Sequence, residues 1–161
     1  MSAWIWSITV NPYKKDDYYY ELDRALEEMP SHTIYQGQSR IRSIEVGDIV
    51  YFYECGKKGK SNRAIGWKCR VLAVDVPYEE ISDIDDRKFE HNYKPERDRD
   101  VHYMKVTALA KYDDDSRAKL SFDKLKENGL NPNLQSIRPS VRPNAQLLKY
   151  INSIQTFGGL R

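Results

Sequence analysis

The stretch IVYFYEC, Ile49 to Cys55, carries one charged residue in seven and does not alternate between apolar and polar positions. A strand of that composition has to be buried on both of its faces, which constrains the fold more than any other feature of the chain. Val46-Gly47-Asp48 supplies a turn before it, and GKKGKSN, Gly56 to Asn62, forms a hairpin-like loop after it. AIGWKCRVLAV, Ala64 to Val74, then places Ile65, Trp67, Cys69, Val71 and Ala73 on one face of a second strand. Two apolar runs joined by a short Gly- and Lys-rich loop predict adjacent antiparallel strands. Gly66 marks a bulge or a close approach of another group.

The first strand is AWIWSITVN, ending at Pro12, with Trp4, Trp6, Ile8 and Val10 on one face and Ala3, Ile5, Ser7 and Thr9 on the other. Trp4 is expected to pack in the core. Trp6, nearer the polar end, suits packing and a ligand-facing wall equally, while Ser7 and Asn11 offer hydrogen-bonding groups at the mouth of the strand. Asp16 or Asp17 caps a predicted helix whose apolar positions are Tyr18, Leu22, Ala25, Leu26 and Met29, stopped by Pro30. Pro77 to Asp100 is charged and poor in apolar residues and reads as a long surface excursion. A strand resumes at VHYMKVTALAKY, and Asp113 to Asp115 read as a solvated turn. Ser121 caps a short helix running through Asn128 with Gly129 beyond it, and a last helix spans about Ala145 to Ile154. Strand, helix, several strands and then helices give an α+β chain with a small curled sheet or barrel flanked by helices, read as one domain over residues 1–161.

Charge and composition narrow the function. Twenty-six Lys and Arg against 24 Asp and Glu leave a net charge of +2, far short of a protein that holds nucleic acid by charge alone, so any such contact is local. Twelve tyrosines against four phenylalanines supply many flat side chains with a polar end, suited to surfaces partly apolar and partly wet. Cys55 and Cys69 lack metal-ligand spacing and read as buried thiols, with no disulfide, metal or cofactor expected. His32, His91 and His102 lie in unlike contexts, and no nucleophile-elbow, zinc-protease or P-loop spacing occurs. Asp83, Asp85 and Asp86 read as a solvated turn. No charged leader precedes an apolar run and no stretch approaches a membrane-spanning length, so a cytoplasmic protein without membrane association is expected.

The order of segments resembles the EVE domain, of the PUA-like superfamily that also contains YTH and ASCH domains. WSITVNP is similar to that family's first strand, YQGQSRIRSIEVGDIVYFYEC to its polar segment leading through Gly-Asp into a tyrosine-rich strand, and AIGWKCRVLAV to its Gly-containing strand. KLSFDKLKENGL and SIRPSVRPN resemble the late helix and the Arg-Pro segment, so that the likeness runs from Trp4 to Ile154. The family's Trp before Gly-Asp is absent, with Tyr35 the nearest aromatic, and Glu54 stands where a small polar residue or His is common.

The resemblance implies a PUA-like curled mixed sheet or pseudo-barrel, and a pocket that accepts a base flipped out of nucleic acid, often a modified one. Carried over by position, Trp6, Ser7 and Asn11 form one wall, with Tyr35, Gln36 and Tyr53 nearby and Trp67 as a further ring. Arg40, Lys58, Lys60 and Arg63, flanked by Arg42 and Lys57, are the expected phosphate contacts. The expected function is a non-enzymatic reader of a modified base, with DNA favoured over RNA and a restriction nuclease as a working partner. Two alternatives stay open. One is an ASCH-like amidohydrolase acting on a modified nucleoside, for which Thr9 and Glu54 but no partner Lys are evident. The other is a PUA-like RNA-binding module.

Overall fold

The computed structural model describes residues 1–38, 43–57, 63–81, 85–93, 102–154 and 156. Its central strands are β1 (Ala3–Asn11), β4 (Ile49–Gly56), β5 (Ala64–Val76) and β7 (Tyr103–Lys111). With β3 (Thr33–Gly37) and β8 (Ser140–Val141) at the edges they make one curled mixed sheet in the order β3-β7-β5-β4-β1-β8. β1 and β4 are parallel, and every other pairing is antiparallel.

Both faces of this sheet are covered, as the composition of β4 requires. On one face Trp4, Trp6, Phe52, Trp67, Val71, Met104 and Val106 pack against Leu22, Ala25 and Leu26 of α1 (Leu22–Glu28). On the other face lie Ile5, Tyr51, Tyr53, Ile65 and Tyr112. They meet α3 (Asp114–Lys119), α4 (Phe122–Glu127) and α5 (Ala145–Ser153) through Leu120, Leu125, Leu147 and Ile151. The β1 periodicity therefore sorts its side chains as expected, with Trp4, Trp6 and Ile8 in one core and Ile5 in the other.

Local chemistry sets the element ends. Ser121 accepts a hydrogen bond from Lys124 N and Asn144 one from Leu147 N, capping α4 and α5. The Gly-Asp turn is tied down by Asp48, whose carboxylate accepts from Ser2 N, Trp4 Nε1 and Glu45 N at 2.9 to 3.0 Å. Burial acts to raise this carboxyl, and those donors outweigh it, holding the group below the usual aspartate range.

Four expectations are corrected. The predicted helix from Tyr18 begins only at Leu22, because Tyr19–Tyr20 form a short strand, β2, paired with Glu90–His91, β6. Those partners belong to the stretch read as a surface excursion. Its described parts are in fact docked, with α2 (Tyr78–Ile81) burying Ile81 and the following 3₁₀ turn burying Phe89. Asp113 to Asp115 open a helix instead of closing a turn, since the Asp113 carboxylate caps α3 by accepting from Ser116 N at 2.8 Å. Ile65 does not share the face of Trp67. Tyr53 pairs with Ile65 while Phe52 pairs with Trp67, so Gly66 is the extra residue of a bulge and reverses the alternation there.

Candidate functional site

β1 and β4 end together, with Thr9 opposite Cys55 and Asn11 opposite Gly56. A β-carbon on Gly56 would lie 2.4 Å from the Asn11 carbonyl oxygen, and Gly56 has φ +144°, so only glycine allows the two main chains this approach. Beside these strand ends, on the face covered by α3 to α5, lies a cavity of about 320 Å³.

β4 contributes Tyr53 and Cys55 to its wall, and Arg63 enters just before β5. Arg63 is held in place because its Nε and Nη2 both donate to the Gly56 carbonyl at 3.2 Å. The start of α4 supplies Ser121, Phe122 and Asp123. An isolated bridge between Ala64 and Ser121 and a hydrogen bond from Phe122 N to Arg63 O place that helix against the beginning of β5. The segment entering β8 contributes Gln135, Ser136, Ile137 and Arg138, and Tyr13 closes the rim. This segment is fixed to β1 by Ser7, whose backbone N and Oγ both donate to the Pro139 carbonyl, at 2.8 and 3.2 Å.

Tyr53 and Phe122 meet edge to face with centroids 6.2 Å apart, a favoured aromatic geometry. Burial raises the Tyr53 hydroxyl well above its ordinary value despite the opposing pull of Arg63, so it is a neutral hydrogen-bonding group at physiological pH. Burial also pushes the Cys55 thiol up, against Thr9, Arg138 and Arg63, which favour the thiolate. Cys55 donates to the Ile8 carbonyl at 3.3 Å. The lining thus joins the rings of Tyr53 and Phe122 to guanidinium, amide, hydroxyl and carboxylate groups able to form hydrogen bonds.

Of the residues expected to bind base, Tyr53 lines this cavity, although at 4% exposure it is as buried as Trp6 and packs in the core of this face; of the expected cations, Arg63 does. Trp6 is 4% exposed and packs edge to face on Trp4 in the opposite core. Trp67, with no exposure at all, lies in that same core and donates its indole N–H to Asp23 at 2.7 Å. The alternation of β1 turns Trp6 away from the cavity, and the bulge at Gly66 sets Trp67 on the face opposite Ile65. Ser7 and Asn11 support its frame without lining it. Tyr35 and Gln36 sit on edge strand β3, with β7 and β5 between them and β4, and Lys105 lies over the Tyr35 ring. Arg40, Arg42, Lys58 and Lys60 lie outside the described residues. Ile8 pairs with Glu54 and Thr9 with Cys55, so Thr9 and Glu54 occupy opposite faces and do not converge as the hydrolase alternative requires. Among the described residues no three His, Cys, Asp or Glu side chains cluster as a metal site, and no helix is long and apolar enough to cross a membrane.

Sequence reading missed the walls given by Tyr13, Cys55, Phe122, Asp123 and Gln135 to Arg138. SIRPSVRPN contained the signal, two Arg-Pro pairs amid small polar residues, but nothing local shows that it folds back onto β1.

No family model matches the chain, and no curated protein matches it in sequence. Solved structures do match in fold. The human THYN1 protein in complex with 5-methylcytosine-containing DNA has a TM-score of 0.64 at 12% identity, over 95% of this chain and 96% of that one. The DUF55 domain of human thymocyte nuclear protein 1 gives 0.61 at 12% identity, over 94% and 97%. The ASCH protein of Zymomonas mobilis gives 0.55 at 10% identity, over 97% and 96%. At these identities the likeness is one of architecture, and the chain has the PUA-like fold that the order of its segments implied.

Proposed function

We propose that this chain binds DNA as a reader, taking a modified base turned out of the duplex into the cavity between Tyr53, Phe122 and Arg138 without chemical turnover. The observation that carries the reading is the composition of the lining, in which stacking rings share one small cavity with edge-pairing polar groups and two arginines. A flipped base needs stacking on its faces and hydrogen bonds on its edge, since unpaired polar edges are costly to bury. The fold likeness to a protein crystallised with 5-methylcytosine-containing DNA supports DNA as the polymer and a modified cytosine as the base. A net charge of +2 suits a protein whose hold on the backbone is confined to the pocket mouth.

The hydrolase alternative has less support, because Thr9 and Glu54 are separated by the sheet. The test is binding to short duplexes that differ at one cytosine, unmodified or modified. The reading predicts a preference of about tenfold or more for one modified duplex, the equivalent of roughly 1.4 kcal/mol. Equal affinity across a broad set of modifications would overturn it.

A further inference from the structure

We infer that the base preferred by this cavity is a cytosine bearing an anionic group at C5, a carboxylate in chemical class, over one bearing a neutral methyl. The inference rests on the cavity being the base pocket proposed above.

Its basis is the state of the two arginines. Elsewhere in the fold Arg24, Arg87 and Arg117 each hold a carboxylate. Among the described residues, Arg63 and Arg138 make no ion pair, although both line the cavity. Arg63 is half-buried and its guanidinium is anchored through a neutral carbonyl, that of Gly56, so its position is fixed while its charge is not neutralised. Both arginines favour the thiolate of Cys55, another residue of the same lining. Two guanidiniums without ion pairs among the described residues, lining one cavity, suit an anion inside it, because charge-assisted contacts strengthen where water is partly excluded.

Asp123 supplies the complementary feature. It lines the same cavity and, among the described residues, pairs with neither arginine. A carboxylate accepts from the cytosine N4 amino group, and that amine is the ring neighbour of C5. One acceptor and two cationic donors around a shared cavity therefore match an amino group beside an anion. Were the arginines to serve the DNA backbone instead, they would strengthen binding to every duplex alike.

The test is a titration of the full chain with three duplexes identical except for one cytosine, which is unmodified, 5-methyl or 5-carboxyl, at constant salt. The readout is the ratio of 5-carboxyl to 5-methyl affinity. It is expected at about tenfold in the unaltered protein, from one added charge-assisted contact. The ratio should fall toward one in Arg63→Gln and in Arg138→Gln, whatever happens to absolute affinity. Arg138 is exposed, so its variant remains informative even if Arg63→Gln fails to fold. A ratio near one in the unaltered protein, or a ratio unchanged by Arg138→Gln, overturns the inference while leaving the reader intact if 5-methyl is still preferred to cytosine. Equal binding of all three duplexes overturns both.

Discussion

Replacing Glu54 by Gln should make the protein's stability less dependent on pH. Glu54 is 4% exposed, and its Oε2 accepts from Arg117 Nη1 at 2.6 Å. Arg117 also donates to Asp23 Oδ1 at 3.2 Å and to the Tyr112 carbonyl at 2.8 Å. Burial pushes the Glu54 carboxyl up to about 8, with the charge of Asp23 adding to the rise and Arg117 opposing it. At neutral pH the cluster is thus one guanidinium, one ionised aspartate and a protonated glutamate, and its charges balance. An unfolded glutamate titrates near 4.5. Between that value and about 8 the folded chain keeps a proton that the unfolded chain has lost. Stability from this group is complete below the lower value and is lost as pH rises through the upper one. The slope approaches about 1.4 kcal/mol per pH unit, and the whole window amounts to something on the order of 4 to 5 kcal/mol. Glutamine keeps an acceptor for Arg117 and a donor for Asp23 but cannot titrate. Urea unfolding of both proteins from pH 5 to 8.5 at fixed ionic strength gives the difference curve, in which groups common to both proteins cancel. The expected curve shows the unaltered protein losing stability relative to Glu54→Gln as pH rises. A flat difference, or one of opposite sign, would refute a protonated Glu54.

Gly66→Ala should destabilise by at least the 1 to 3 kcal/mol, roughly, of an overpacked core, because its β-carbon would lie 1.9 Å from Glu54 Oε2 and 2.9 Å from Arg117 Cζ; a neutral result in urea unfolding would show that the cluster relaxes freely. Trp67→Ala should cost about 3 to 5 kcal/mol of stability, while the folded fraction keeps its affinity for a modified duplex; a selective loss of affinity would return Trp67 to the site. Asn144→Ala should cost about 1 kcal/mol through the lost cap of α5, and an unchanged unfolding midpoint would contradict that role.

The parts of the fold legible in the sequence are those with local causes. The β4 composition demanded two covered faces, the β1 alternation separated Trp4, Trp6 and Ile8 from Ile5, and Ser121 announced α4. Gly66 was recognisable as a bulge or a close approach and is both, yet its effect on Ile65 depends on how β4 pairs across it. The pairing of Tyr19–Tyr20 with Glu90–His91 joins segments some seventy residues apart, and no local pattern reports it. The cavity was hidden for the same reason. Tyr53, Phe122 and Arg138 are brought together by tertiary contacts such as the Ala64–Ser121 bridge and the Ser7–Pro139 hydrogen bonds. Trp6 and Trp67 lie in the same core as Trp4, since large apolar rings are what a core most readily absorbs.

If a base leaves its duplex to enter the Tyr53 cavity, a duplex that releases the base more easily must bind more tightly. Two duplexes carry the same modified cytosine, opposite guanine in one and opposite a mismatched base in the other. Flipping costs a few kcal/mol, least for a mismatched base, so the mismatched duplex should bind about tenfold tighter or more. Tyr53→Ala should cost about 3 to 5 kcal/mol of stability, as a core ring does, and its folded fraction, checked by circular dichroism, should also lose roughly 1 to 3 kcal/mol on both duplexes as stacking is lost. Equal affinity for paired and mismatched duplexes, together with full binding by folded Tyr53→Ala, would contradict the account.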